Sequence, residues 1–554
     1  MKLVSLNNLS NLQNNLLIKI IFIIPIIVYI TIFAKFLVNM PNWDDYDAIL
    51  NWINFVITKP TLAEFMTKLF AQHNEHRIVF GNLVSLISYF LLGKVDFISL
   101  SIFGALGLFA SFLLIIYIGK KNNLTLIDLL PVPYLMFSLN QWELISWAMA
   151  SISQYWQLFF SLLAITVISS SNRLNNLVLA FIFATIALYT GGGGLLVFPV
   201  IFLYLFVRKD NKSTFLWFIL TCLVVFVYFI FLHYSAPDSS NICRNLAFSH
   251  LDIWFQYLLL FLGGYIVPVA GNSFFLASLW GFLLLQAFIY FLIKKSYKDN
   301  STAFLITSFS IITGMVIAFN RFDLSLGSAL APRYYCYTAI FSVMIYFWAI
   351  NTFISHQKLI CFICTSLSIL VFTFSINTNV KLLAERYNIL QHTLWYPTDN
   401  IAYQHAYEVL QNSINNHSFK PIYSVLANLP LSLPLQQTNL YKPGYLGHVD
   451  QVIARQDLLI IKGWGWIKGL NYTPATVIIK VNDKFYPTTF GMEKRSDVAT
   501  YLNNPASVMS GYSSSLNIKD CKSITVTAII VGQDHRTFYP SPSLKIDLKE
   551  LKHN

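Results

Sequence analysis

From Leu16 to Phe374 the chain returns repeatedly to apolar stretches long enough to cross a bilayer, separated by short turns that carry Lys and Arg. About 20 apolar residues span the hydrocarbon core as a helix. Backbone groups in lipid have no water to bond, so a crossing segment must satisfy itself as a helix or within a closed barrel. Hydrophobic residues make up 56% of the 554 and charged residues only 11%, against roughly 25% charged in soluble domains. No single water-soluble core hides that much apolar surface, and the chain reads as a polytopic α-helical membrane protein. Its net charge of +12 comes from short basic clusters between apolar runs. That is a topology signal rather than a phosphate-binding stripe, and it argues against nucleic acid as a partner.

The first span, Leu16 to Val38, lacks the small-residue cleavage site of a signal peptide and is expected to stay as an anchor. Further spans are expected at Phe97 to Ile118, Leu124 to Leu139, Tyr155 to Ile168, Leu174 to Tyr189, Leu195 to Val207, Phe215 to Phe231, Phe274 to Ile293, Ala303 to Phe319, Thr338 to Ile350 and Leu359 to Phe374. That gives about eleven, and up to about thirteen if Ile78 to Leu92 and Ile253 to Ala270 also cross. The inside bias of Lys and Arg favours reading these last two as outer juxtamembrane helices. With the N-terminus cytoplasmic, Lys120, Lys121, Arg173, Arg208, Lys209, Lys294, Lys295 and Lys358 then all fall inside. Either count is odd, which puts the C-terminus outside.

After Phe374 the composition changes. Residues 1–376 form the membrane part, and 377–446 read as an exported linker with short amphipathic helices at Val380 to Leu390 and Tyr403 to Leu410. Residues 447–554 alternate polar and β-branched positions. Ala475 to Val481 before Asn482-Asp483, and Ser523 to Val531 before Gly532-Gln533-Asp534, are strand and hairpin signals for a C-terminal β-sandwich. Cys222, Cys361 and Cys364 lie in apolar runs and read as small hydrophobes.

Charge beside apolar helices is expensive and marks function. Four outer clusters qualify. Asn42-Trp43-Asp44-Asp45-Tyr46-Asp47 follows the first span, and adjacent carboxylates near lipid raise one another's pKa, which suits a base for a sugar hydroxyl. The plainer reading is a solvated loop that caps a helix starting near Ala48. In the second cluster, Gln72-His73-Asn74-Glu75-His76-Arg77, two imidazoles, a carboxylate and a guanidinium share one turn and could hold phosphate or sugar. An interfacial cap, or a metal on His73, His76 and Asp44, remains the alternative. Arg321, Asp323, Arg333 and Tyr334 form the third, where an outer arginine against the inside-positive bias calls for an anionic head group, or else pairs with Asp323 and snorkels. Glu143, between Trp142 and Trp147, is the fourth, its tryptophans either stacking on sugar or forming an interface belt. The run Gly191 to Gly194 has neither the strand nor the Lys-Ser/Thr of a phosphate loop, and reads as close helix packing or a hinge.

In the order and sidedness of these motifs the sequence resembles the GT-C superfamily of membrane glycosyltransferases over about residues 10 to 376. The matching features are Asp44-Asp45 in the first outer loop, Asn74 to Arg77 opening a juxtamembrane helix, and Arg333-Tyr334 before a late span. The resemblance implies that Asp44 or Asp45 is the catalytic base and that the donor is a polyprenyl-phosphate sugar. The acidic-Pro-Pro-Leu motif of many members is absent, with Glu75-His76-Arg77 in its place, which leaves the subfamily and a divalent cation as cofactor open. The C-terminal part is similar to a β-sandwich module appended to bacterial glycosyltransferases, through Lys462-Gly463-Trp464-Gly465-Trp466, Arg495-Ser496-Asp497-Val498-Ala499 and Gly511-Tyr512. Trp464 and Trp466 should share one strand face, as core or as a sugar platform.

The expected protein is an inverting glycosyltransferase of the bacterial inner membrane, with the C-terminal module periplasmic. It would pass a sugar from the polyprenyl-phosphate donor to a glycan or lipid-linked acceptor on the periplasmic face. His73, Glu75, His76, Arg77, Glu143, Arg321, Asp323, Arg333 and Tyr334 would bind substrate or phosphate around Asp44 and Asp45. The competing readings are a membrane acyltransferase and a non-catalytic polysaccharide transporter or polymerase component.

Overall fold

A computed structural model describes residues 6–170, 173–235, 250–271, 273–298, 300–321, 325–392, 401–419, 442–455, 458–469, 474, 476–482, 484–488, 495–517, 523–531 and 538–547. The chain divides into two compact units, Met1–Leu37 with Pro41–Leu383, and Val38–Met40 with Ala384–Asn554.

The first unit is helical. Seven of its described helices are long and apolar enough to cross a membrane: Leu16–Phe36, Phe97–Lys121, Ala148–Ser170, Asn211–Phe231, Phe274–Ile293, Ser301–Arg321 and Ile354–Ala384. Four shorter apolar helices accompany them, Val79–Leu92, Leu174–Thr190, Gly192–Val207 and Leu251–Ile266. The membrane character stands; of the eleven crossings expected, length and apolarity qualify seven helices among the described residues. Leu124 to Leu139 is the clearest departure. Asp128 takes hydrogen bonds from the Thr125 amide (2.9 Å) and hydroxyl (2.6 Å), and the only α-helix within Leu124 to Leu139 is Pro131–Met136. Prolines 131 and 133 lack the amide hydrogens a long helix needs, so they fit its first turn and little else.

Local chemistry sets the helix ends. Asp96 accepts from the Ser99 amide at 2.9 Å to open Phe97–Lys121, which closes on Lys120 and Lys121, as its dipole favours. Gly93, at φ 68°, ends Val79–Leu92 in the left-handed conformation. Small residues let helices touch backbone to backbone. A Cβ at Gly263 would strike the Ala277 carbonyl, and one at Gly281 the Leu259 carbonyl, so the helices Leu251–Gly263 and Phe274–Ile293 pack without side chains between them. Ala148–Ser170 and Ser301–Arg321 are the most buried long helices, whereas Asn211–Phe231 turns Phe215, Leu223 and Phe226 outward as a lipid-facing helix would.

The second unit begins with the end of the helix Gln357–His392, which continues through the amphipathic patch expected at Val380 to Leu390, and with Ile401–Asn415. Residues 420–441 of the expected linker lie outside the described residues. Two antiparallel sheets follow. The first has the order β1 (Tyr445–Arg455), β2 (Leu458–Ile467), β5 (Gly511–Asn517). The second pairs β4 (Lys484–Pro487), β3 (Thr476–Val481) and β6 (Ser523–Val531), with β7 (Phe538–Pro540) and β8 (Leu544–Asp547) both on β6. Leu459 and Ile461 of β2, Tyr512 of β5, Val477 and Ile479 of β3 and Val526 and Ile530 of β6 share one buried core, which makes the pair a sandwich. Asn482, at φ 53°, turns β3 into β4 as its hairpin signal requires. The Gly532-Gln533-Asp534 turn lies outside the described residues. Gly463 is needed because a Cβ there would meet the Tyr512 hydroxyl at 2.7 Å and the His448 carbonyl. Trp464 and Trp466 do share a face, the one opposite Leu459 and Ile461; Trp466 is buried there and Trp464 half-exposed.

Candidate active site

The two adjacent aspartates occupy different environments. Asp45 is fully buried, and its carboxylate takes the Asn42 amide on Oδ2 (2.9 Å) and the Met149 amide on Oδ1 (2.8 Å). It caps no helix ahead of it; it clasps the first loop to the start of Ala148–Ser170. Burial outweighs these donors and pushes its pKa up to about 7. Asp44 is half-buried, and among the described residues its carboxylate accepts no hydrogen bond. Trp43 precedes it at φ 48°, a strained conformation for a bulky residue, with its ring edge-on to Trp147 at 4.6 Å. A cavity of about 10 Å³, with room for about one water, lies among Ala48, Ile49, Ile78, Met149 and Ser153. Of the two aspartates Asp44 is the one that reaches solvent, beside the exposed Trp43.

His73 and His76 exchange both backbone hydrogen bonds (2.7 and 2.9 Å) across a tight turn whose Asn74 is left-handed at φ 48°. The turn lifts Glu75 to Arg321, whose Nη2 donates to both Glu75 oxygens at 3.1 and 3.0 Å. His76 Nε2 lies 4.0 Å from the same carboxylate. Desolvation holds the His76 imidazole below its ordinary value despite that neighbour. Its Nδ1 faces Gly192, where any Cβ would collide with it, and Gly191 and Gly193 sit equally close to the Gln157 amide. The glycine run is therefore close packing. Gln157 Nε2 donates to the Tyr337 hydroxyl (2.9 Å), which donates to Gln154 Oε1 (2.9 Å).

Arg77 has a different fate from the other arginines. It is 2% exposed, and it donates to the carbonyls of Phe70 (2.6 Å), Tyr228 (3.3 Å) and Leu232 (2.7 Å) while lying over the Tyr228 ring. Phe226–Phe231 is a π-helical turn, a form that displaces carbonyls from the regular ladder, and Arg77 binds two carbonyls at it. That geometry is a structural clasp and leaves both Nη groups engaged. Arg321 and Arg333 keep 31% and 25% of their side chains exposed. Arg333 Nη1 donates to buried Glu143 at 3.4 Å and its guanidinium lies 5.1 Å from the Tyr334 ring centre. The Tyr257 hydroxyl is 3.1 Å from the Ser328 hydroxyl, which lies 3.3 Å from the Arg321 carbonyl oxygen. Asp323, expected as a partner of Arg321, lies outside the described residues; among the described residues Glu75 pairs with Arg321.

One stretch joins these groups. Residues 143 to 149 carry Glu143 for Arg333, Trp147 for Trp43 and the Met149 amide for Asp45. The sequence reading missed Gln154, Gln157, Tyr337 and Tyr257. Gln154 and Gln157 are polar residues three apart within an apolar helix, a signal available in the sequence, but a span started at Tyr155 left Gln154 outside it. Among the described residues no three His, Cys, Asp or Glu side chains gather as metal ligands. Compared with known protein families, curated proteins and solved structures, the chain matches none. Its function is argued from the residues themselves.

Proposed function

We propose that this chain is a membrane glycosyltransferase of the GT-C kind. It takes a sugar from a polyprenyl-phosphate donor and gives it, with inversion, to a glycan or lipid-linked acceptor on the periplasmic face of a bacterial inner membrane. The observation that carries the proposal is the half-buried Asp44 carboxylate, which accepts no hydrogen bond among the described residues, together with two partly exposed arginines, Arg321 and Arg333, each steadied by its own carboxylate. Asp44 accepts the proton of the acceptor hydroxyl as its oxygen attacks the anomeric carbon. Asp45 holds the loop that aims it. Phosphate is already a good leaving group, so Arg321 and Arg333 need only stabilise the charge that develops on it, and no general acid is required. Trp43 and Trp147 offer an aromatic wall beside Asp44 for the apolar face of a sugar ring.

The deciding measurement uses purified protein in proteoliposomes with a radiolabelled polyprenyl-phosphate hexose. Release of polyprenyl phosphate with appearance of label in a glycan or lipid acceptor is the expected result. No donor turnover, with unchanged envelope glycans in membranes lacking the protein, removes the reading.

A further inference from the structure

We propose that the outer face of the β1-β2-β5 sheet in the second unit is a binding site for a neutral glycan chain, separate from the Asp44 chemistry. Trp464 of β2 stands directly across from His448 of β1, so their side chains share the face turned away from the sandwich core. The Tyr501 ring meets Trp464 at 6.4 Å and 68°, and Tyr501 is 78% exposed, far more than packing requires of an aromatic. Two rings at a steep angle leave a corner in which one sugar ring stacks by its C–H face while the next turns away.

The same face carries fixed polar groups. Arg495 donates through Nε to Asp497 (2.9 Å) and through Nη2 to Asp497 (2.6 Å), and its Nη1 to Asp450 at 2.5 Å. The other oxygen of Asp450 meets His448 Nδ1 at 3.3 Å. A planar guanidinium locked between two carboxylates is already ordered, so vicinal hydroxyls can bind to the carboxylate edges without paying to arrange them. Two carboxylates flank the one guanidinium, and Lys462, two residues before Trp464 on the same strand face, balances their charge, so the face carries no excess cation to draw an anionic chain while its carboxylate edges accept from hydroxyl donors. The short helix Ser496–Tyr501 that presents Tyr501 also borders an open depression of about 490 Å³ lined by Ser496, Thr500, Asn503 and Asn504. That volume is in the range of small-molecule sites and suits a second sugar unit.

The test places the full chain in lipid nanodiscs over immobilised neutral hexose oligosaccharides, with uronic-acid oligosaccharides as the charged comparison. Retention on the neutral set is expected. Trp464→Ala and Tyr501→Ser should each weaken it by roughly tenfold, about the loss of one aromatic contact. Because Tyr501 projects into solvent, Tyr501→Ser reads binding without disturbing the fold. Asp44→Asn should bind as the unaltered chain does, which separates this site from the catalytic proposal. No retention on any neutral oligosaccharide, equal retention of both aromatic variants, or preference for the uronic-acid set overturns the assignment.

Discussion

One aspartate in each unit is held in the opposite way to the other. Asp45 of the membrane unit is buried with two backbone amides and no cation, and its pKa is pushed up to about 7. Asp497 of the β unit is 65% exposed in a two-point pair with Arg495, which draws its pKa down to about 2. One carboxylate is kept where its charge is costly, the other where charge is welcome. Such a cost persists when geometry at a site depends on it, so the membrane unit is where substitutions should change function.

The largest expected effect is at Asp44. Asp44→Asn keeps size and removes basicity, and donor turnover in proteoliposomes should fall about 10²–10⁴-fold with normal insertion and yield. Near-normal turnover in this variant, with loss in Asp45→Asn, would exchange the roles given to the two residues. Next comes Arg77. Arg77→Met fills most of the volume but leaves the Phe70, Tyr228 and Leu232 carbonyls without their donor. At about 1–3 kcal/mol for each buried group left unsatisfied, the loss is of order 3 kcal/mol or more, seen as a lower melting midpoint and poor yield in detergent. Arg321→Lys should do the reverse. It keeps charge while losing the planar fork, so turnover should fall about 10–100-fold with an unchanged melting midpoint.

Much of this contrast was legible in the sequence, and the failures have physical causes. Long apolar runs and the adjacent Asp44-Asp45 announce a membrane protein with an acidic loop after its first apolar helix, because lipid tolerates few other arrangements. Arg77 could not be told from Arg321 by composition. What separates them is the π-helical turn at Phe226–Phe231, whose Tyr228 carbonyl, 151 positions away, draws Arg77 inward. Glu75 with Arg321, and Glu143 with Arg333, are equally long-range pairs. Leu124 to Leu139 matched a span in apolarity alone, while Thr125, Asp128 and the two prolines carried the information that it breaks. In the β unit, alternation located β3 and β6, and their shared buried side chains follow directly from that period.

A smaller effect tests the buried side of the comparison. The folded pKa of Asp45 stands above its unfolded value near 3.8, so the folded state holds the extra proton between those limits. Its contribution to stability is complete below about pH 4 and is lost as pH rises through about 7. Hydrogen exchange, corrected for intrinsic rate, should show peptides covering 41–51 and 145–155 better protected at pH 5 than at pH 8. Asp45→Asn should remove that pH dependence. A wild-type profile flat from pH 5 to 8 would mean that Asp45 is ionised in both states.

The smallest effect belongs to Asp497. Its folded pKa lies below the unfolded value, so the sign is reversed: its contribution is complete above about pH 4 and disappears as pH falls through about 2. Between pH 5 and pH 8, where Asp45 responds, Asp497 should not. Exposure and salt screening keep such a pair weak, and Arg495 retains Asp450 when Asp497 is neutralised. Asp497→Asn should therefore leave exchange in peptides covering 445–455 and 458–467 nearly unchanged at pH 7, with any loss smaller still in high salt. Marked deprotection of β1 and β2 would mean that the Arg495 cluster fastens the sheet, and that the two units use their charges more alike than their burial suggests.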